Sequence, residues 1–209
     1  MTHSFPWYNG PKKYRPVEGR VIMSTVRQES TASGLTYEDY LLFPDDGRRH
    51  ELIGGEHYVT PAPTTIHQWF LGNLYRVLSQ FVMENGLGKV FFAPVDVILS
   101  PQDVVQPDLI FISNARLGRV TRENILGAPD LVVEVISEST RKLDRKLKRT
   151  LYGTYDVAEY WIADPELKIF EVYRRDQENR LVKVAEYEDT GALISPLFPG
   201  LTVDLASIW

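Results

Sequence analysis

The sequence predicts a mixed α/β fold, built as one domain over residues 35–209. Two observations predict this class. A long amphipathic helix is followed by three apolar strand-like runs, a second helix and a further strand, and this ordered core is flanked by one hairpin before it and another after it. Helices that alternate in this way with buried strands are typical of a layered sheet covered by helices.

The first elements lie between residues 35 and 59. Residues 35–42 predict a short amphipathic helix with Thr36 as the N-cap. Residues 49–53 and 56–59 are two strand-like runs around Gly54-Gly55. Two residues of this kind between two strands predict a hairpin with a primed turn.

A helix over residues 65–85 follows, because apolar side chains recur at helical spacing until Asn85-Gly86 closes the pattern. The remaining runs predict strands and one more helix. They are strands at 90–99, 105–112 and 131–136, a helix at 139–155, a strand at 160–163, a polar hairpin of 168–174 with 181–188, and a closing segment at 197–209.

Composition limits the possible classes of protein. The chain has 209 residues, 44% of them apolar and 24% charged, as in ordinary globular proteins. We find no apolar run long enough to cross a membrane and no secretory signal at the N-terminus. The absence of cysteine excludes disulfides, thiolate metal sites and cysteine nucleophiles, and fits a cytoplasmic location. The net charge of −5 argues mildly against nonspecific binding of nucleic acid.

Residues 1–34 differ from the rest of the chain. They contain five basic residues and two acidic ones, several prolines, and no sustained hydrophobic period. We expect them to form a flexible tail.

Glu134 is the most informative residue, because it interrupts the apolar run Leu131-Val132-Val133-Glu134-Val135-Ile136. Such a run predicts a strand buried on both faces. A charge placed there costs several kcal/mol unless a cation or a metal ion pairs with it. A lysine or a metal partner is therefore expected.

Asp108 has a similar setting near the start of the run at 105–112. Neighbouring strands lie only about 4.8 Å apart, so two adjacent strands could bring Asp108 and Glu134 together. Two buried acids either share a proton or share a cation. If they share a cation, their oxygen ligands suit Mg²⁺, with Mn²⁺ as a possible substitute.

The segment 141–150 supplies the candidate lysine, since six of its ten residues are basic. We expect most of these side chains to form a solvated face. The leucines of the segment form a stripe that must face the sheet, and Lys148 is the lysine best placed to reach inward beside it. A surface position for Lys148 is the alternative.

The order of an acid, a second acid and a lysine resembles the PD-(D/E)XK nuclease superfamily. Its lysine normally lies two residues after the second acid, where this chain has Ile136. More narrowly, the chain resembles the Uma2-type (DUF820) "putative restriction endonuclease" family over about residues 35–209. The segments that carry this resemblance are Glu51-Leu52-Ile53-Gly54-Gly55-Glu56, His67 with Gly72-Asn73-Leu74, Ala93-Pro94-Val95-Asp96-Val97, Val105-Gln106-Pro107-Asp108, Leu131–Ser137, Lys148 with Tyr152, and Glu159-Tyr160-Trp161-Ile162.

The resemblance implies a restriction-endonuclease-like αβββαβ core with Asp108 and Glu134 as metal ligands and Lys148 as the migrated lysine. Glu51, on the early hairpin, is a further catalytic candidate as a ligand or a holder of water. Asp96 and His67 are weaker candidates. Asp130 imitates the motif but lies on the same predicted strand as Glu134.

These residues predict a Mg²⁺-dependent endonuclease acting on nucleic acid, with DNA as the expected substrate. The alternative is a catalytically inactive nucleic-acid-binding protein on the same fold, which the isoleucine at position 136 favours. A glycoside hydrolase is a weak third hypothesis, because its paired carboxylates lie in open sugar clefts. We also expect a homodimer, with the C-terminal hairpin or Ile208-Trp209 as its interface.

Overall fold

The fold is described by a computed structural model that covers residues 34–136 and 143–209. The predicted tail, apart from Gly34, and the first turn of the predicted second helix lie outside these residues. The helices are α1 (Tyr37–Tyr40), α2 (Thr65–Glu84) and α3 (Arg149–Thr154), the last preceded by a π-helix at Leu143–Lys148. The strands are β1 (Arg49–Ile53), β2 (Glu56–Thr60), β3 (Gly88–Phe92), β4 (Val97–Ser100), β5 (Asp103–Val105), β6 (Leu109–Ser113), β7 (Ile125–Leu126), β8 (Leu131–Val135), β9 (Glu159–Asp164), β10 (Ile169–Arg175), β11 (Leu181–Glu188), β12 (Ala192–Leu193) and β13 (Val203–Asp204).

Most strands belong to two sheets. The larger sheet has the order β11-β10-β9-β8-β6-β3, and the smaller one has the order β2-β1-β5-β4-β7. Neighbours are antiparallel except β8 with β9 and β4 with β7. The parallel pair β8–β9 is joined through the π-helix and α3, as a parallel connection requires a crossover. Lys148, the last residue of the π-helix, lies within this crossover between β8 and β9.

The apolar side chains form two main cores. On one face of the larger sheet, α2 and the C-terminal segment cover a core that includes Leu74, Leu131 and Trp161. On the other face, a second core includes Val105, Ile110 and residues of α3. This second core joins the two sheets, so polar side chains that enter it are removed from water.

The predicted elements are largely confirmed, including the hairpin around Gly54-Gly55. Both glycines have positive φ, 60° and 76°, as a primed turn between two strands requires. The helix over 65–85 is α2, which Thr64 caps by accepting a hydrogen bond from the His67 N–H. The mixed α/β class predicted from the sequence is confirmed.

Two predicted strands were wrong in extent. The run 90–99 is divided into β3 and β4, and the run 105–112 is divided into β5 and β6, with the two halves of each run in different sheets. Pro94 and Pro107 lie in the two breaks, and proline cannot donate the hydrogen bond that a continuous strand needs there. Asp108 therefore stands at the crossing between sheets, directly before β6.

Ile208 and Trp209, one of the two expected dimer interfaces, pack against the rest of their own chain. Ile208 is fully buried, and the Trp209 ring stacks on Phe70 with ring centroids 4.9 Å apart. The Trp209 indole N–H also donates to the Asp189 carbonyl at 2.7 Å. These residues complete the core beneath α2 within one chain. No helix in the described ranges is long and apolar enough to span a membrane.

Two glycines of the fold should respond oppositely to substitution by alanine. Gly88 has φ +153°, and a Cβ there would collide with the Ile112 backbone. Gly88→Ala should lower the free energy of unfolding by about 1–3 kcal/mol or more. Gly72 lies within α2 with open space around it, so Gly72→Ala should raise the free energy by up to about 1 kcal/mol. Urea unfolding measures both, and equal effects would contradict this account.

Candidate active site

A group of buried charges lies where the two sheets meet. Lys148 Nζ is 3.0 Å from Glu134 Oε1 and 3.0 Å from Glu51 Oε2. Glu134 and Lys148 are each only 4% exposed, and Glu51 is 1% exposed. Two carboxylates from different sheets thus share one ammonium group in the core between them.

Alternation along β8 explains why Glu134 points to this place. Leu131, Val133 and Val135 belong to the core beneath α2, while Val132 and Ile136 belong to the core between the sheets. Glu134 has the parity of Val132 and Ile136, because successive side chains of a strand point to opposite faces. The acid therefore enters the apolar layer that the smaller sheet covers.

Lys148 and Tyr152 reach Glu134 together. They are four residues apart at the start of α3, which places them on the same face of the helix. The Tyr152 hydroxyl donates to Glu134 Oε1 at 2.7 Å, the same oxygen that Lys148 contacts. Burial, followed by the nearby charges of Glu134 and Glu51, raises the pKa of Tyr152 well above its ordinary value. Tyr152 is therefore a hydrogen-bond donor at any physiological pH.

Glu51 is fixed from its own side of the site. Its Oε1 accepts from the Gln106 backbone N–H at 2.8 Å and from Lys148 Nζ at 3.1 Å. Among the described residues, its buried Oε2 has no well-directed hydrogen bond, although Lys148 Nζ is near. This oxygen has capacity for a further ligand.

Asp108 is held by three donors. Arg49 Nη1 lies 2.6 Å from Oδ1, while the Val135 backbone N–H donates to Oδ2 at 2.8 Å and His67 Nε2 lies 3.1 Å from Oδ2. Burial acts to raise the pKa of Asp108, but His67 and then Arg49 outweigh it and lower that pKa to about 2. Asp108 is therefore a carboxylate at neutral pH.

The register of the larger sheet places Asp108 beside Glu134. Leu109 pairs with Val133 in the antiparallel β6–β8 ladder, so the next position outward sets Asp108 opposite Glu134. Together with Glu51 and Lys148, the four residues chosen from the sequence as catalytic lie in one region. Asp108 and Glu134 come from neighbouring strands of that sheet, as expected.

Of the weaker candidates, His67 contacts Asp108, while Asp96, like the motif-imitating Asp130, has other partners. Asp96 accepts hydrogen bonds from the Tyr40 hydroxyl and from Gln106 Nε2, each at 2.8 Å. Asp130 accepts from the Ser113 backbone N–H and forms an ion pair with Arg116 at 3.3 Å. Asp96 is therefore linked to the site through Gln106, and Asp130 holds the chain directly before the start of β8.

Sequence reasoning missed two residues that contact the acids. Arg49 lies two residues before Glu51 on β1 and shares its face of the strand, and this spacing was a usable signal. Gln106 was not recognisable, because its backbone N–H makes the contact with Glu51. Tyr152 marked the family resemblance but had no assigned role in the site.

The donor set fits a hard divalent cation such as Mg²⁺. Glu51 and Glu134 each lie 3.0 Å from Lys148 Nζ. The strand register sets Asp108 opposite Glu134, and the buried Glu51 Oε2 has no hydrogen-bond partner among the described residues. Within residues 34–136 and 143–209, no group of three or more His, Cys, Asp or Glu side chains is arranged to hold a metal ion, so a cation here would have at most two of these side chains as ligands. Mg²⁺ is commonly bound by only one or two carboxylates, with water and substrate phosphate completing the shell.

Comparison with known proteins identifies the family. The Uma2 family, described as "Putative restriction endonuclease", matches residues 37–206. A crystal structure of a protein described as "a putative nuclease belonging to DUF820", from Anabaena variabilis ATCC 29413, is similar with a TM-score of 0.69 and 18% sequence identity. The alignment covers 83% of this chain and 97% of that one, which shows a shared fold. No curated protein matches the chain.

Because the family match spans most of the chain, from α1 to the last strand, the protein belongs to the Uma2 family.

Proposed function

We propose that the protein is a Mg²⁺-dependent endonuclease that hydrolyses phosphodiester bonds in DNA. The observation that carries this proposal is the pairing of Lys148 with Glu134 and Glu51 beside Asp108, between two sheets. The lysine that the strand lacks at Ile136 is thus supplied by the helix that follows it. Membership of the Uma2 family supports the same conclusion.

Asp108 and Glu134 would hold the cation. A bound divalent cation supplies a water of lowered pKa and offsets the charge that develops on the phosphate. Asp108 suits this role because its low pKa keeps it ionised. The Tyr152 hydroxyl and the Val135 N–H orient the two carboxylates, so little reorganisation is needed when substrate binds.

Lys148 would act on the nucleophilic water and the phosphate. As an ammonium group between two carboxylates it can donate to a phosphate oxygen or orient the water. To deprotonate the water it must first lose its own proton. Glu51, fixed by the Gln106 N–H, is the neighbouring group that can accept a hydrogen bond from this water.

The same contacts support one alternative, a nucleic-acid-binding protein without catalysis. Arg49 and Lys148 already neutralise Asp108 and Glu134, so the acids are paired without any metal ion. A chain that used these ion pairs only for stability would bind nucleic acid without cutting it. Cleavage assays separate the two functions.

Glu134→Gln should abolish cleavage without changing the shape of the side chain. A metal ion contributes several kcal/mol to the transition state, so its loss should reduce plasmid nicking by at least about a hundredfold. The assay compares the wild type and the variant with Mg²⁺ and with Mn²⁺. Glu166→Gln, at an exposed turn, is the matched control and should keep full activity. Equal nicking by Glu134→Gln and the wild type would contradict the proposal, and no nicking by the wild type would favour the alternative.

Lys148→Met should affect both activity and stability. It leaves two buried carboxylates without their shared cation, which should cost about 3–5 kcal/mol in the free energy of unfolding. Nicking should fall by about 10²–10⁴-fold. Lys146→Met is the matched control, because Lys146 is exposed on the same segment. Lys148→Arg keeps the charge, so a stable but inactive Lys148→Arg would separate catalysis from folding, while full activity in either Lys148 variant would exclude the role.

A homodimer is part of the proposal, because cutting both strands of a duplex favours a pair of sites. Light scattering should give twice the chain mass of 24.0 kDa. A mass of one chain at assay concentrations would remove the dimer from the proposal and leave the chemistry of a single site unchanged.

A further inference from the structure

Arg49 is the most exposed of the charged groups that contact the acids of the site. Its side chain is 20% exposed, against 4% for Asp108 and 6% for Lys148. Lys148 bridges two carboxylates in the core, while among the residues that the structure describes Arg49 Nη1 contacts one carboxylate oxygen, Asp108 Oδ1. Arg49 is therefore held less firmly than Lys148.

Asp108 does not depend on Arg49 for its position. The other carboxylate oxygen, Oδ2, is held by the Val135 N–H at 2.8 Å and lies 3.1 Å from His67 Nε2. Both groups remain in place if the guanidinium leaves. Its departure would free Oδ1 and keep the carboxylate oriented.

A divalent cation held by Asp108 through Oδ1 would compete with Arg49 for this oxygen. Their like charges repel strongly at contact distance in a site with little water. Arg49 is the partner that can move, since a long side chain with partial exposure has solvent on one side. A metal ion at Asp108 therefore implies displacement of the guanidinium.

The displaced guanidinium stays near the reaction. Arg49 shares a strand face with Glu51, which contacts Lys148, so β1 holds it at the edge of the site. Guanidinium groups bind phosphate oxygens with two parallel hydrogen bonds. The substrate's own phosphate is the anion that arrives with the metal.

We propose that Arg49 is an exchangeable cation, bound to Asp108 in the metal-free protein and to a substrate phosphate once a divalent cation occupies Asp108. This inference rests on the proposed function. Arg49 then has two effects. It weakens the binding of a divalent cation before substrate binds, and it strengthens the binding of nucleic acid after the metal has bound.

The test is calorimetric titration of Mn²⁺ into the wild type, Arg49→Met, Arg48→Met and Asp108→Asn. Arg49→Met should bind Mn²⁺ about tenfold more tightly than the wild type, because its competitor is gone. Arg48→Met is the matched control and should equal the wild type, since Arg48 is 62% exposed and pairs with Asp46. Asp108→Asn should lose Mn²⁺ binding.

The second measurement is fluorescence anisotropy of a labelled DNA duplex, with Ca²⁺ and without divalent cations. Arg49→Met should bind the duplex about tenfold more weakly than the wild type with Ca²⁺, and equally without it. If Arg49→Met does not fold, as judged by circular dichroism, Arg49→Lys takes its place. Lysine keeps the positive charge but lacks the planar guanidinium group that makes two parallel hydrogen bonds to a phosphate. The changes in Mn²⁺ and duplex affinity should therefore be smaller than in Arg49→Met and in the same directions.

The outcomes distinguish this inference from the proposed function. Equal Mn²⁺ affinities in the wild type and Arg49→Met, both lost in Asp108→Asn, overturn the exchange and leave the metal site intact. Duplex binding that is unaffected by Arg49→Met, or weakened without metal, also overturns it. Absence of Mn²⁺ binding in both the wild type and Arg49→Met, or binding that survives Asp108→Asn, overturns both proposals.

Discussion

The ammonium group of Lys148, buried between Glu51 and Glu134, is the interaction on which the rest of the site depends. Three charges enter a layer lined with valine, isoleucine and tyrosine, where none of them could remain ionised alone. Each charge is supplied by a different element, β1, β8 or the start of α3. The sheets and the crossover must therefore dock in one arrangement, since any other leaves an unpaired charge in the core.

Hydrogen bonds around the charges restrict them further. Gln106 fixes Glu51 through its backbone, Tyr152 fixes Glu134, and the Val135 N–H fixes Asp108. Two of these three donors are backbone groups, whose positions follow from strand pairing and not from side-chain type. The acids are thus oriented by the sheet itself, which is the preorganisation that the proposed catalysis would use.

Much of the candidate site could be predicted from the sequence. Glu134 was recognisable because a charge in an apolar run requires a partner, and Lys148 because helical spacing placed it beside the leucine stripe. The strand pairing of Asp108 with Glu134 followed from their two apolar runs. The division of those runs at Pro94 and Pro107 was not predicted, because hydrophobicity does not report which sheet a strand joins. The contacts of Arg49 and Gln106 depend on how the two sheets pack together, and the local pattern of hydrophobic residues does not report that packing.

Residues 103–113 pass from the smaller sheet to the larger one within a few residues, with Asp108 at the crossing. Neither sheet alone contains the whole site: one carries Arg49 and Glu51, and the other carries Glu134. Any species in which one sheet has formed without the other lacks the full set of charges. The complete set of charges thus reports on the docking of the two sheets, because it exists only in a chain in which both have formed and packed together.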